Sequence, residues 1–562
     1  MPYHPHRRTF VKSLAALGAV GYTGLWQTPG WAAAPASGLT ELSGDTFDLV
    51  IDKQQVTLGG SVRDALTING GLPGPLLRWR EGDTVTVRVH NRLDEPTSLH
   101  WHGIVLPANM DGVPGLSFHG IPAGGMYEYR FKVRQSGTYW YHSHSGFQEQ
   151  IGVYGPLVIE PREPAQPAMR EQVMMLTDWT DENPSRIFDR LKKEPGYYNQ
   201  NPLTLTRFVQ DAAEQGLGST LKNRWMWARM RMDPTDLADV TGQAYTYLIN
   251  GRAPDDNFTA LFAHGEPLRL RFINGSAMTY FDVRIPGVKM TVVAADGQPV
   301  QPVSVDEFRI AVAETLDVIV QPDAEGPYTV FAQAMDRSGY ARATLSTRPG
   351  ASAPVPALDE PVMLNMSDMG MDHEGMRGMN HGSMPGMAMP HHPDTEQGNP
   401  LVDMQAMMPM ARLADPGIGL RDNGRRVLTY ADLRSTFPDP DPREPSRTLE
   451  LHLTGHMDKY AWAFDGVKFS DAEPIRLTYG ERLRIVLVND TMMAHPIHLH
   501  GMWSDLEDEA GRFMVRKHTI DVPPGTRRSY RVSADALGRW AYHCHMLYHM
   551  EAGMFREVRV DE

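Results

Sequence analysis

The feature that most constrains the fold of this 562-residue chain is a segment that occurs three times. Each copy alternates apolar and polar residues and ends in asparagine, at Gly82–Asn91, Gly265–Asn274 and Gly480–Asn489. Alternation with a period of two residues indicates half-buried β-strands. A related turn precedes each copy, at Ile68–Gly70, Ile249–Gly251 and Phe464–Gly466. The repetition therefore predicts three β-domains of one kind.

Composition agrees with an all-β protein. The 51 glycines and 43 prolines favour sandwiches or barrels over helical bundles. The net charge of -14 argues against a nucleic-acid partner. We predict domains at 41–165, 166–350 and 425–562, a partly helical insertion at about 184–235, and a linker at 351–424.

The first 40 residues have the layout of an export signal. They contain no acidic residue, and the run Arg7–Lys12 is followed by the apolar stretch Ser13–Leu25. This order is typical of a twin-arginine leader, and the apolar part is too short to cross a bilayer. The sequence thus predicts a periplasmic protein whose mature form has no membrane span.

Four His-x-His pairs lie in the first and third units. They are His100 and His102, His142 and His144, His498 and His500, and His543 and His545. Residues two apart on a strand project from the same face, so each pair presents two imidazoles side by side. A lone pair would more often be core histidines, but four pairs at matching repeat positions predict ligands. Eight imidazoles from two domains can supply three coppers with two, three and three ligands.

Cys544 is the only cysteine of the chain, so no internal disulfide forms. It lies between His543 and His545, so its side chain must face the other side of the strand and meet a different metal. A thiolate, two imidazoles and a distant thioether make a blue-copper electron-transfer site. The remaining candidate ligands of this site are His495, His549 and Met554.

The repeat provides a comparison within the sequence. In the second unit, the positions that match the histidine pairs are Val283, Ile285, Phe331 and Gln333. In the first unit, the positions that match the blue-copper ligands are Thr97, Ser143, Gln148 and Val153. We therefore predict one blue copper in the third domain, a three-copper cluster between the first and third domains, and a second domain without copper.

These motifs resemble the copper-binding signatures of the multicopper oxidases, the family of laccases, ascorbate oxidase and bacterial cuprous oxidases. The segments that carry the resemblance are His100–Gly103, Trp140–His144, His495–Gly501 and His543–Met554. Leu106–Gly115, the leader and the Met-rich linker resemble the periplasmic copper-resistance protein A group in particular. The resemblance implies cupredoxin-like Greek-key domains, O2 as the electron acceptor, and four copper ions: one type 1, one type 2 and a type 3 pair.

The resemblance also implies a ligand set. His495, Cys544, His549 and Met554 would bind the type 1 copper, and His100 and His498 the type 2 copper. The type 3 pair would be bound by His102, His142, His144, His500, His543 and His545.

Reduction of O2 to water needs protons, which a carboxylate near the cluster could supply. Asp111 occupies the position of the family's cluster-side aspartate, so we expect it to be a proton donor. The alternative is an ordinary turn aspartate in Met110–Gly112. Glu551 is a second candidate, although the position where some cuprous oxidases carry a glutamate is Met550 here.

The linker is rich in methionine, with 13 of the 33 methionines between Met363 and Met410. Thioethers are soft ligands that prefer Cu(I), so this segment predicts a loading surface for cuprous substrate and additional labile copper. The methionines concerned are Met366, Met369, Met371, Met376, Met379, Met384, Met387 and Met389. The alternative is an inert flexible linker.

We thus expect a monomeric periplasmic oxidase that acts in copper resistance and uses O2 with Cu(I) or a small reductant. Two other functions stay open. One is a protein that sequesters copper on its Met- and His-rich segment, and the other is a laccase-type phenol oxidase.

Overall fold

The computed structural model describes residues 39–163, 169–371 and 392–562. Strands dominate and form six sheets, which build three cupredoxin-like β-domains. The all-β fold expected from the sequence is confirmed. Residues 1–38 of the predicted leader and the methionines from Met376 to Met389 lie outside the described residues.

The first domain combines a five-stranded and a four-stranded sheet. In spatial order, the five-stranded sheet consists of β1 (Glu41–Ser43), β4 (Leu76–Arg80), β9 (Tyr154–Glu160), β8 (Gly137–His142) and β6 (His100–His102). The four-stranded sheet consists of β3 (Ser61–Ile68), β2 (Thr46–Leu58), β5 (Thr84–Asn91) and β7 (Met126–Lys132).

The second domain combines a six-stranded and a five-stranded sheet. The six-stranded sheet consists of β11 (Tyr245–Ile249), β10 (Arg170–Thr180), β13 (Leu268–Asn274), β18 (Thr315–Val320), β15 (Met290–Ala295) and β16 (Gln298–Val305). The five-stranded sheet consists of β12 (Phe258–Leu261), β20 (Tyr340–Ser346), β19 (Tyr328–Ala334), β14 (Phe281–Arg284) and β17 (Glu307–Ile310).

The third domain repeats the plan of the second. Its six-stranded sheet consists of β22 (Ala461–Phe464), β21 (Thr448–His456), β24 (Arg482–Asn489), β29 (Arg527–Ser533), β26 (Ser504–Glu507) and β27 (Phe513–Lys517). Its five-stranded sheet consists of β23 (Ile475–Thr478), β31 (Phe555–Asp561), β30 (Gly538–Cys544), β25 (His495–Leu499) and β28 (Thr519–Val522).

The repeated asparagine has the same structural role in each domain. Asn91, Asn274 and Asn489 end strands β5, β13 and β24, which pair in parallel with β2, β10 and β21. Each asparagine is buried, and its side-chain amide donates to a backbone carbonyl of the loop that directly follows it. A buried amide must be paired, so this position fixes the loop that leads to the next strand.

The turns that precede these strands also repeat. Asn69, Asn250 and Asp465 adopt φ values of 54, 50 and 53°, and a glycine of positive φ follows each one. Two successive residues of positive φ form a type I′ turn, which matches the twist of a hairpin.

The predicted helical insertion is present as α1 (Pro184–Lys193), α2 (Leu205–Gln215) and α3 (Leu217–Met230). Helix α1 begins after Asn183, whose side chain accepts a hydrogen bond from the Ser185 backbone, and it buries Ile187 and Leu191. A short helix, α4 (Leu547–Glu551), follows Cys544. Within the described residues, no helix is both long and apolar enough to cross a membrane.

Candidate metal centre

The first histidine of each pair lies on one of two paired strands in its domain. In the first domain, β6 pairs with β8 so that His100 is opposite His142. In the third domain, β25 pairs with β30 so that His498 is opposite His543. Directly opposite residues of an antiparallel pair share one face of the sheet, so each sheet presents its imidazoles on one side.

The two faces meet and bring all eight histidines together. The His142 and His545 Nε2 atoms are 3.3 Å apart, although 403 residues separate them in the chain. The rings of His102 and His498 stack with centroids 3.8 Å apart. Three of the groups that could each hold one metal ion are His102, His142 and His545; His144, His500 and His543; and His100 and His498 with His500.

The ring nitrogens are arranged as a metal would require. The Nε2 atoms of His100, His144 and His498 are buried and have no hydrogen-bond partner within the described part of the chain. Burial, followed by the neighbouring imidazoles, lowers the pKa of most of these rings well below the ordinary value; they are His102, His142, His144, His498, His500 and His545. Neutral imidazoles with unpaired inward nitrogens are the form that binds metal.

Two buried carboxylates hold the outer nitrogens of this cluster. His500 Nδ1 donates to Asp111 Oδ2 at 2.8 Å, and His100 Nδ1 donates to the Asp111 carbonyl at 2.8 Å. Asp111 therefore links a first-domain loop to the residue that directly follows β25 in the third domain. Similarly, His142 Nδ1 lies 2.6 Å from Glu149 Oε2. Such outer partners orient a ligand ring and set its tautomer.

The predicted blue-copper residues form a separate triangle on the opposite face of β30. Cys544 Sγ lies 3.5 Å from His495 Nδ1 and 3.8 Å from His549 Nδ1, and the two nitrogens are 3.1 Å apart. Burial raises the pKa of the Cys544 thiol, so a thiolate here needs a nearby cation. The triangle suits a trigonal S/N/N site.

The outer nitrogens of the two blue-site histidines are fixed by neighbouring side chains. His549 Nε2 donates to the buried carboxylate of Asp239 at 2.7 Å, and His495 Nε2 donates to Thr491 Oγ1 at 2.8 Å. The Trp462 ring packs on His549 with centroids 4.1 Å apart. Both Nδ1 atoms are thus left free to face the sulfur.

The other candidates differ in placement. Met554 is buried, and its carbonyl accepts from the Cys544 backbone at 3.1 Å, so its axial role stays a prediction. Glu551 is exposed at the end of α4. Met369 is fully buried in the core, which leaves Met366 and Met371 as the half-buried methionines of the predicted loading surface within the described residues.

The second domain has the same pair of strands without ligands. There β14 and β19 occupy the positions of β6 and β8, and Val283 pairs with Ala332. The matching positions are buried, and three of them are apolar; they are Val283, Ile285, Phe331 and Gln333.

Comparison with known proteins agrees with this geometry. Multicopper oxidase family models match residues 50–164, 170–350 and 442–562. The chain belongs to the multicopper oxidase family. It is therefore an oxidoreductase that uses O2 and binds four coppers: one type 1, one type 2 and two type 3.

The oxidase is 66% identical to a copper resistance protein A homolog of Pseudomonas syringae pv. tomato, with 100% of both chains covered. It is 61% identical to the copper resistance protein A of Escherichia coli, with 99% of both chains covered. The crystal structure of Fet3p, a multicopper oxidase that functions in iron import, shares the fold at a TM-score of 0.64 and 18% identity, covering 92% of this chain and 91% of that one.

Three residues at the centres of the oxidase were not found from the sequence. They are Glu149, Asp239 and His518. Of these, His518 places its Nδ1 3.2 Å from His102 Nε2. Glu149 follows the motif Trp140–His144 closely, but nothing in its spacing sets it apart from a surface glutamate. Asp239 and His518 belong to other elements of the chain, so no local pattern connects them to their partners.

Proposed function

We propose that this protein is a periplasmic cuprous oxidase that converts Cu(I) to Cu(II) with O2 and thereby acts in copper resistance. The observation that carries the proposal is a cavity lined by four methionines next to His495, together with the Asp239 carboxylate on the outer nitrogen of His549. Similarity to proteins named copper resistance protein A supports the role in resistance. The twin-arginine pattern predicted in the first 40 residues supports the location.

The geometry supports one assignment of ligands. In this proposal, His495, Cys544, His549 and Met554 hold the type 1 copper. The type 2 copper is held by His100 and His498. One type 3 copper is held by His102, His142 and His545, and the other by His144, His500 and His543. When bound, these coppers supply one-electron acceptance from the donor and the reduction of O2 to water.

The protein's own residues connect the two centres. Cys544 is joined through its peptide bonds to His543 and His545, and His543 Nδ1 donates to the Cys544 carbonyl at 2.9 Å. This strand segment provides a short covalent route for electrons. Asp111, buried between His100 and His500, is the carboxylate best placed to hold a proton near the cluster.

The donor side of the blue site suits a cuprous ion. The adjoining cavity includes Ala494, the neighbour of His495, and is lined by the methionines Met278, Met335, Met493 and Met546. Thioethers are soft and bind Cu(I) in preference to hard cations. A phenol pocket would not need this concentration of sulfur.

Buried carboxylates in the same region favour a cation over a neutral donor. Asp236, Asp239 and Asp336 are all buried, and Asp239 also accepts a hydrogen bond from the Tyr460 hydroxyl at 3.1 Å. Burial, followed by repulsion from Asp239 and other aspartates, raises the pKa of Asp236 well above the ordinary value. A positive charge would relieve this repulsion, so the region attracts Cu(I).

The test is a variant that removes two cavity thioethers and keeps their volume, Met335→Leu with Met493→Leu. We expect the KM for Cu(I) to rise about tenfold, the equivalent of about 1.4 kcal/mol. O2 uptake with a phenol such as 2,6-dimethoxyphenol should be unchanged. Met514→Leu is the matched control, because Met514 is buried but does not line this cavity.

Two outcomes would contradict the proposal. Equal turnover of Cu(I) by the wild type and the double variant, with strong phenol oxidation, would favour a laccase-type enzyme. Tight copper binding by the wild type without O2 uptake on Cu(I) would favour sequestration. Visible absorption of the blue site must be equal in all variants for the comparison to hold.

A further inference from the structure

A second group of metal-binding side chains combines two residues of the linker with two of the third domain and includes none of the ligands proposed for the four coppers. His452 is on β21, and Asp490 directly follows the neighbouring strand β24. His392 and Glu396 are on the segment that covers this end of the sheet. Two imidazoles and two carboxylates thus converge from three parts of the chain.

The four side chains point at one another. His452 Nδ1 lies 2.6 Å and His392 Nδ1 3.4 Å from the same oxygen, Asp490 Oδ2. Glu396 Oε2 lies 3.0 Å from His392 Nδ1, and Glu396 Oε1 lies 3.7 Å from His452 Nδ1. Donors about 2.0–2.2 Å from a tetrahedral ion are about 3.3–3.6 Å apart. The four nitrogen-to-oxygen distances, from 2.6 to 3.7 Å, lie on both sides of this spacing, so small side-chain movements would let these groups share one ion.

The site is buried and its hydrogen bonding is incomplete. Glu396, His452 and Asp490 are all buried, and Glu396 Oε1 has no hydrogen-bond partner among the described residues. Buried carboxylate oxygens are rarely left unpaired, because they lose hydration without compensation. An ion pair of the two histidines with the two carboxylates would leave this oxygen unsatisfied, whereas a cation would satisfy it.

Neighbouring groups outside the site hydrogen-bond to the two carboxylates, as is usual around metal ligands. Gln405 Nε2 donates to Glu396 Oε2 at 2.9 Å, and the Ala406 backbone donates to Asp490 Oδ1 at 2.6 Å. The Nε2 atom of His452 lies 3.5 Å from a carboxylate oxygen of Glu450. A carboxylate behind a ligating imidazole is the usual outer arrangement of such sites.

We infer that His392, Glu396, His452 and Asp490 form an additional site for one divalent first-row metal ion. Imidazole and carboxylate donors suit Cu(II) and Zn(II), and the usual order of affinities places Cu(II) first. Without a soft donor, the site should discriminate against Cu(I). The inference depends on these four side chains and does not require that Cu(I) be the substrate of the oxidase.

The test uses the four-copper holoenzyme titrated with Zn(II), followed by calorimetry and by metal analysis after gel filtration. We expect the wild type to bind one more zinc equivalent than His392→Gln or Glu396→Gln. If the variants still bind that zinc, we expect their affinity to be at least about tenfold weaker, since loss of even an outer partner of a metal site costs about 10–100-fold. His392 is the least disruptive position, because 18% of its side chain is exposed. His456→Gln is the matched control on the same strand, since His456 contacts Asp403 at 3.9 Å instead of the site.

X-ray absorption at the zinc edge tests the wild type without any variant. We expect a first shell of nitrogen and oxygen with imidazole scattering and no sulfur, while the copper content stays at four. Equal zinc stoichiometry and affinity in the wild type and both variants would overturn the inference and leave an ion-pair network. Sulfur in the zinc shell would also overturn it, because the ion would then lie at methionines or at Cys544.

Discussion

Asp111→Asn separates two roles of this carboxylate, which are to hold the His500 ring in place and to supply protons to the cluster. Asp111 Oδ2 accepts a hydrogen bond from His500 Nδ1 at 2.8 Å, and Oδ1 lies 3.4 Å from His100 Nδ1. Asparagine has nearly the same shape and keeps an acceptor oxygen, so both rings should stay in place. It cannot carry the exchangeable proton of a carboxylic acid. The variant therefore alters proton delivery more than geometry.

The expected loss of copper affinity in Asp111→Asn is smaller than the expected loss of turnover. A hydrogen bond to a charged group contributes about 1.5–3 kcal/mol, against about 0.5–1.5 kcal/mol for a neutral one. The lost charge of Asp111 should therefore weaken copper binding by about tenfold, the equivalent of about 1.4 kcal/mol. Loss of a general acid slows turnover by about 10²–10⁴-fold. A rate loss much larger than the loss of copper affinity would identify the proton donor.

The assay is O2 uptake per bound copper between pH 5 and 8, together with copper content and blue absorption. We expect Asp111→Asn to retain its copper and colour but to lose turnover, most severely at high pH, where protons are scarce. Asp111→Ala should also lose copper, because His500 then has no acceptor. Asp94→Asn is the control, since Asp94 is exposed in the same domain. Unchanged turnover of Asp111→Asn across this pH range would refute the proton-donor role.

Two further variants test other parts of the molecule. Glu149→Gln removes the carboxylate that lies 2.6 Å from His142 Nδ1. We expect copper affinity, measured by metal analysis, or turnover, measured by O2 uptake, to fall about 10–100-fold. Equal affinity and turnover in the variant and the wild type would contradict an orienting role for Glu149. Asp282→Asn removes the carboxylate that pairs with the buried Arg337 and the half-buried Arg309. It should lower the free energy of unfolding by about 3–5 kcal/mol, measured by denaturant titration, with the blue colour retained. Despite burial, these arginines hold the pKa of Asp282 below its usual value, so its stabilisation is present above about pH 4 and is lost as the pH falls; a loss independent of pH would contradict this account.

Much of the fold could be predicted from the sequence because its signals are local. Strand alternation, the Asn-Gly and Asp-Gly turns, and the repeated asparagine each depend on residues close together in the chain. The same period of two predicts that Cys544 faces away from His543 and His545, as the register of β25 with β30 shows. A local pattern could not tell which methionines of the linker are buried: Met369 packs in the core, whereas Met410 is exposed.

The sequence by itself thus determined the three β-domains, the histidine pairs and the lone thiolate, because each follows from spacing along one strand. Only the tertiary structure decided what surrounds them. Asp239 contacts His549 across 310 residues, and Asp111 reaches His500 across 389. The physical reason is that such contacts arise when separate sheets pack, and packing brings together side chains whose distance along the chain carries no periodic signal.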